Sequence, residues 1–256
     1  MRALYTAASG MTAQQSRLDT IANNLANVST TGFKKSRDAF QDLFYQELSG
    51  GGGEGEQAGS RLELGGGVKL AGIERDQAQG ALIATNNPLH VAIQGDAMFV
   101  VETLDGEPMY TRDGSFTKDP DGYLVTTSGM RVSGDVQIPE EADTITIGYD
   151  GTVHGLVSAT GQDLVLGQIE IARFVNPGGL MARGGNLFVP TPQSGDAQPL
   201  DAGTDVQLVQ GYLEGSNVDV ASELIDMIQA QRVYELNSKV IQAADDTLQV
   251  AANLRR

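Results

Sequence analysis

The chain has 256 residues, enough for one large domain or two modest ones. A formal net charge of −16 excludes a nucleic-acid ligand, because phosphate binding needs a basic surface, and the absence of cysteine excludes disulfide and thiolate chemistry. The charge is uneven: residues 51–215 carry 23 acidic against 8 basic side chains, whereas both ends are nearly neutral.

At the N-terminus, "ALYTAASGMTAQQS" contains no continuous apolar run, so no cleavable signal is expected. No window approaches the roughly 18 apolar residues that span a bilayer, so the chain is not expected to be membrane-embedded. From Leu4 to about Ser29 the pattern is helical. Leu4, Met11, Leu18 and Leu25 recur every seven residues, and Ala8, Gln15 and Ala22 complete a heptad-like seam, which Ile21 and Val28 join. Asn23, Asn24 and Asn27 fall on the opposite face, and Arg17 and Asp19 are the only charges between Ala3 and Ser29. An uncharged amide face suits burial, where amides hydrogen-bond without the desolvation cost of a full charge. The alternative is that these asparagines decorate a solvated face. Gly32, followed by Phe33, is the expected helix stop.

The next segment, "SGGGGEGEQAGSRLELGGG" at residues 49–67, reads as a Gly-rich linker. Beyond Val68, turn signals such as "DPDGYLV" and "GYDGTV" separate strand-like runs such as "MFVVETL" and "TITI", which predicts a hairpin-rich β body with no long helix. From Val220 the heptads return: Val220, Met227, Tyr234, Ile241 and Leu248, with Ala230, Asn237, Ala244 and Ala251 beside them. Ser216 and Asp219 have the form of a capping box opening this helix. Leu224, Ile225, Ile228, Val233, Leu236 and Val240 spread apolar surface around most of its circumference, while Arg232, Glu235, Lys239 and Asp246 form one charged stripe, with Glu235 and Lys239 spaced for an ion pair.

The expected fold class is therefore α+β. Residues 1–32 and 216–256 form a terminal helical polymerisation domain whose helices pair as an antiparallel, coiled-coil-like stalk. Rods on the order of 40 and 50 Å are expected. Residues 33–67 connect, and residues 68–215 form the β domain. Two helices cannot bury this much apolar surface between themselves, so self-assembly into a helical tube is the economical reading. No catalytic constellation stands out. His90 and His154 lack partners at metal-ligand spacing, "DPDG" lacks the later ligands of a calcium loop, the glycine runs lack the Gly-Lys-Ser/Thr of a phosphate loop, and no GxSxG occurs. Residue counts alone leave a Ser-His-Asp triad or a glycosidase carboxylate pair open, so a periplasmic glycan-acting β-domain enzyme is the competing class.

"LYTAASGMTAQQSRLDTIANNLANVSTTGFKKSR" and "LEGSNVDVASELIDMIQAQRVYELNSKVIQAADD" closely resemble the two terminal signatures of bacterial flagellar rod and hook proteins. "YTRDGSF", "DGYLVT", "IGYDGTV" and "GNLF" carry the resemblance through the body. It implies a non-enzymatic axial subunit without cofactors, exported through the flagellar type III apparatus without signal cleavage, and a rod spanning the periplasm. Implied partners are further copies of the chain, proximal rod proteins, the hook protein, the rod-surrounding rings and the rod cap. The subunit contacts would lie on Leu4, Met11, Leu18, Ile21, Asn23, Asn24, Leu25, Asn27 and Val28 of the first helix. On the second they would lie on Val220, Leu224, Met227, Ile228, Tyr234, Asn237, Ile241 and Leu248, with the charged stripe toward the lumen. The stretch between "FQDLFYQ" and "GGGV", through Leu48, Gly51, Glu54, Gln57, Leu62 and Leu64, resembles the stiffening insert of distal rod proteins; a proximal rod or hook subunit is the alternative.

Overall fold

A computed structural model of the chain describes residues 2–44, 46–48, 62–103, 106–142, 144–157, 162–203 and 205–253. The fold is α+β, with α1 (Arg2–Ala26) and α2 (Val220–Asn253) at the two ends and short, mostly antiparallel-paired strands between them. The chain divides into two compact units: the described parts of Met1–Ala26, Ser36–Glu74 and Asp219–Arg256 form a helical unit, and those of Asn27–Lys35 and Arg75–Val218 form the body.

The helical unit is larger than the terminal helices alone. Residues expected to be mere connection form the strand Ser36–Asp42, which pairs with Val68–Arg75, so most of Val68–Arg75 joins the helical unit and not the β body. The first helix stops at Ala26, six residues before Gly32. The carbonyl of Asn27 accepts the Thr30 N–H at 3.1 Å, which closes a turn in place of further helix. Gly32 serves a different constraint. Its φ is +67°, and a Cβ there would lie 2.7 Å from the Asp113 backbone nitrogen, so only glycine fits this approach inside the body.

In the body, nine strands form the largest sheet. Its central strand, Met98–Glu102, pairs with Pro108–Thr111, Arg131–Val132 and Ile171–Arg173. Both faces of this strand are covered, which explains the continuous apolar run "MFVV". Phe99 and Val101 enter one core cluster, Met98 and Val100 the other. Phe116 stands edge-on to Phe99 with ring centroids 5.0 Å apart, and on the other side Phe174 meets Tyr110 at 4.7 Å. The Asp-Gly turn in "GYDGTV" is set by Gly151 at φ +83° and by Asp150, whose Oδ1 accepts the Thr152 N–H at 3.1 Å and the Thr152 hydroxyl at 2.6 Å. Those bonds hold the Asp150 carboxyl below its ordinary pKa.

The body core is thus complete within one chain. Phe99→Ala should lower its stability by about 3–5 kcal/mol, whereas Val165→Ala, on an exposed strand position, should stay within about 0.5 kcal/mol; urea denaturation of the full chain measures both.

Candidate functional site at the terminal helices

Seven-residue spacing governs how α1 meets α2, but along a different line from the expected apolar seam. Asn24 bonds Glu223, Arg17 pairs with Asp226, and Gly10 abuts Asn237, so the helices run antiparallel. A Cβ on Gly10 would lie 2.9 Å from Asn237 Nδ2. Gly10, Arg17 and Asn24 recur at sevens on one helix, and Glu223, Ala230 and Asn237 on the other. Ala230 is fully buried, and Ala7 and Ala13 on α1 are buried as well. Small side chains bring the two backbones close, and that closeness makes this line the contact.

The heptad residues consequently lie beside the contact. Leu4, Met11, Leu18 and Leu25 are only half-buried; Ile21 is buried. Ala8, Gln15 and Ala22, expected to complete the seam, are exposed. On α2, Met227, Asn237 and Ile241 are half-buried, while Val220, Leu224, Ile228, Tyr234 and Leu248 are exposed. Arg232, Glu235, Lys239 and Asp246 are exposed too, and Glu235 and Lys239 do not close the expected ion pair, as suits two long solvated side chains.

The three asparagines separate. Asn24, 1% exposed, is an intrachain fastener: its Nδ2 donates to the Ser36 carbonyl at 2.9 Å and to Glu223 Oε2 at 3.3 Å, and its Oδ1 accepts the Ser36 N–H at 2.9 Å. It stitches α1, α2 and the strand Ser36–Asp42 together, aided by the Thr20 hydroxyl, which donates to Asp38 at 2.8 Å. Asn23 is exposed; Asn27 and Val28 are half-buried beyond the helix. The capping box expected at Ser216 is displaced. Asp219 is the N-cap, accepting the Ala221 and Ser222 N–H groups at 3.4 and 3.3 Å and the Ser222 hydroxyl at 2.6 Å, because α2 begins at Val220.

The insert emerges from a closed neck in the same unit. The Leu43 N–H donates to the Gly67 carbonyl at 2.9 Å, and Gln46–Leu48 pairs antiparallel with Leu62–Leu64 in the register Leu48 to Leu62. Gly67, at φ +108°, lets the neck lie against α1, since a Cβ there would meet the Ser9 hydroxyl at 2.4 Å. Gly51, Glu54 and Gln57 lie outside the described residues. Of the two imidazoles, His90 sits 2.9 Å from the Thr85 hydroxyl in a turn, and His154 sits 3.3 Å from Asp163 on an exposed sheet. Among the described residues no group of three or more His, Asp or Glu side chains could hold a metal ion, and no helix is long and apolar enough to cross a membrane.

Three family models match parts of the chain. Residues 4–34 match the "flagella basal body rod protein" model, 92–155 the "flagellar hook protein FlgE/F/G D1 domain", and 209–254 the "flagellar basal body rod FlgEFG protein C-terminal". Similar proteins include the flagellar basal-body rod protein FlgG of Borreliella burgdorferi, 47% identical over 100% of this chain and 99% of the relative. That of Caulobacter vibrioides is 43% identical over 100% of both chains, and that of Bacillus subtilis 41% over 100% of both. The chain belongs to the FlgG family of flagellar basal-body rod proteins. Its role is that of a structural subunit of the distal rod.

Replacing Asn24 by Ala removes the side-chain bonds of both Ser36 backbone groups and one hydrogen bond to Glu223, so it should destabilise the monomer by about 1–3 kcal/mol; Glu235→Ala, on an exposed position of α2, should change it by less than about 0.5 kcal/mol. Thermal denaturation of the unassembled chain distinguishes the two.

Proposed function

We propose that copies of this chain polymerise helically through α1 and α2 into the hollow distal part of the flagellar shaft. The terminal helices would pair as coiled-coil-like rods lining it, and the shaft would transmit torque to the hook and conduct exported subunits. The observation that carries this reading is the surface of α2. Ten large apolar side chains on that one helix are exposed in the single chain, among them Ile225, Ile228, Leu236 and Val250 at 57, 51, 58 and 59%. Ordinary surface helices keep such residues on one covered stripe. Burying a side chain of this kind yields about 1.5–3 kcal/mol from full exposure; these start 37–59% exposed, so ten of them represent a gross driving force on the order of 10 kcal/mol per subunit before association entropy.

The exposed faces of Leu4, Met11, Leu18, Leu25 and Asn23, and those of Val220, Leu224, Ile228, Tyr234 and Leu248, are the subunit contacts on this reading. Arg232, Glu235, Lys239 and Asp246 form the wet stripe that faces the lumen. Asn24 is removed from the set, because its donors and acceptor are spent within the chain. The insert between Leu48 and Leu62 locks neighbouring subunits and stiffens the shaft on this reading. Proximal rod proteins, the hook protein, the surrounding rings and the rod cap are the partners, and the flagellar export apparatus delivers the chain to a rod crossing the periplasm. A distal place is favoured over other rod positions by relatedness: the FlgG relatives above stand at 41–47% identity, and the FlgF protein of Caulobacter vibrioides at 32% over 93% of this chain.

Leu236→Asp and Ile228→Asp test the surface directly. Each should leave the melting of the monomer unchanged, since both positions are exposed, while abolishing shaft formation seen by electron microscopy. Shafts that form normally from either variant contradict the reading. Excision of residues 47–64 should give shafts that bend measurably more; shafts equally straight would remove the insert from the account.

A further inference from the structure

One buried carboxylate in the body gathers segments that are remote in the chain. Glu214, at the end of the strand Tyr212–Glu214, is 1% exposed. Its Oε1 accepts the Lys34 ammonium at 2.7 Å and the Gly80 N–H at 2.9 Å, its Oε2 accepts Arg112 Nη1 at 3.3 Å, and its carbonyl accepts the Gly32 N–H at 2.8 Å. Lys34 also donates to the Ala78 carbonyl at 2.8 Å, and Arg112 Nη2 to that of Gly95 at 2.7 Å. Three residues further on, Asn217 does the same for backbone. Its Oδ1 accepts the Lys35 N–H at 2.7 Å, and its Nδ2 donates to the Asp76 and Ala78 carbonyls at 2.9 and 3.1 Å. The Asp76 N–H closes the circuit on the Lys35 carbonyl at 2.9 Å.

The membership of this network is not arbitrary. The body comprises Asn27–Lys35 and Arg75–Val218, so the backbone enters it at Asn27, leaves after Lys35, returns at Arg75 and leaves again after Val218; the last three of these four passages concern the network. Lys35, Asp76 and Asn217 each lie at or next to one of these passages. The electrostatics are costly for mere filler: two cations and one anion are buried together, with the Lys34 and Arg112 side chains 1% and 3% exposed. Burial pushes the pKa of both below its ordinary value, against the pull of Glu214. A buried ion cluster is a poor source of net stability compared with apolar residues of the same volume, but breaking one by removing a single partner is expensive. Its best-attested use is to specify one arrangement.

We propose that Glu214 and Asn217 form a clamp that binds three of the body's four chain passages, those at Lys35, Asp76 and Asn217, into one cooperative unit, opening and closing together. Glu214 is a positioning residue in this arrangement. In an assembled shaft, a use that rests on the polymerisation reading above, force carried along the backbone through these three passages would meet them jointly and could not peel them one at a time.

Native-state hydrogen exchange on the purified, unassembled full chain tests the clamp across a urea series. The amides of Gly32, Lys35, Asp76 and Gly80 should share one opening free energy and one urea dependence, distinct from those of the core amides Val100 and Leu208. Glu214→Gln keeps the shape but leaves Lys34 and Arg112 buried without their anion. It should cut protection at those four amides about a hundredfold while leaving Val100 and Leu208 within about threefold of the wild type. Four unrelated isotherms in the wild-type chain overturn the proposal, and so does a variant whose protection is unchanged or falls equally everywhere. If Glu214→Gln does not fold, the wild-type urea series decides. A chain that shows the shared opening yet never forms shafts would refute the polymerisation reading and leave the clamp intact.

Discussion

The close approach of α1 and α2 along Gly10, Arg17 and Asn24 on one side and Glu223, Ala230 and Asn237 on the other constrains everything else in the helical unit. Two helices can touch along only one line each. Here that line is taken by small and polar residues, which let the backbones come near and tie one helix to the other at defined heights. Asn24 then extends the tie to the strand after α1 through both backbone groups of Ser36. Such polar contacts specify alignment more than they supply stability. Any other relative rotation of the two helices would leave the Asn24 amide or the Glu223 carboxylate buried without its partner.

The choice of line has a consequence for the apolar side chains. Leucines and isoleucines that would ordinarily pay for helix pairing are displaced to the flanks and the outside of α2. The body needs no such help, since its two core clusters are complete inside the chain around Phe99 and Tyr110. On the proposed reading, stability and assembly are assigned to different residues. The body has a folded core of its own, while the apolar surface of α2 stays uncovered in the single chain.

Much of this was legible in the sequence. Both helices announced themselves by heptad spacing, the first also by its lack of charge, and the Asp-Gly turn at Asp150–Gly151 was marked by its own residues. What periodicity cannot report is which of several competing faces wins the contact. Val220, Met227, Tyr234, Ile241 and Leu248 formed the more apolar row, yet the row containing Ala230 and Asn237 is the one that approaches α1, because side-chain size sets the interaxial distance. A helical wheel likewise placed three asparagines on one face without separating Asn24, whose partner Glu223 lies 199 residues away. Lys34 and Glu214 stood inside the quoted terminal motifs, but their pairing spans 180 residues and leaves no local trace. Gly32 was expected to stop the first helix, which ends at Ala26; its positive φ instead serves the close approach to Arg112 and Asp113.

On this reading the outer apolar surface of α2 is bare in the single chain and covered in the shaft. Because the chain contains no cysteine, single cysteines can report it without background. Val240→Cys and Glu235→Cys occupy exposed positions on well-separated faces of the same helix, one apolar and one on the charged stripe. Thiol labelling of both should be rapid in the monomer; in assembled shafts Val240→Cys should become protected while Glu235→Cys still reacts. Equal labelling of Val240→Cys before and after assembly would contradict this reading.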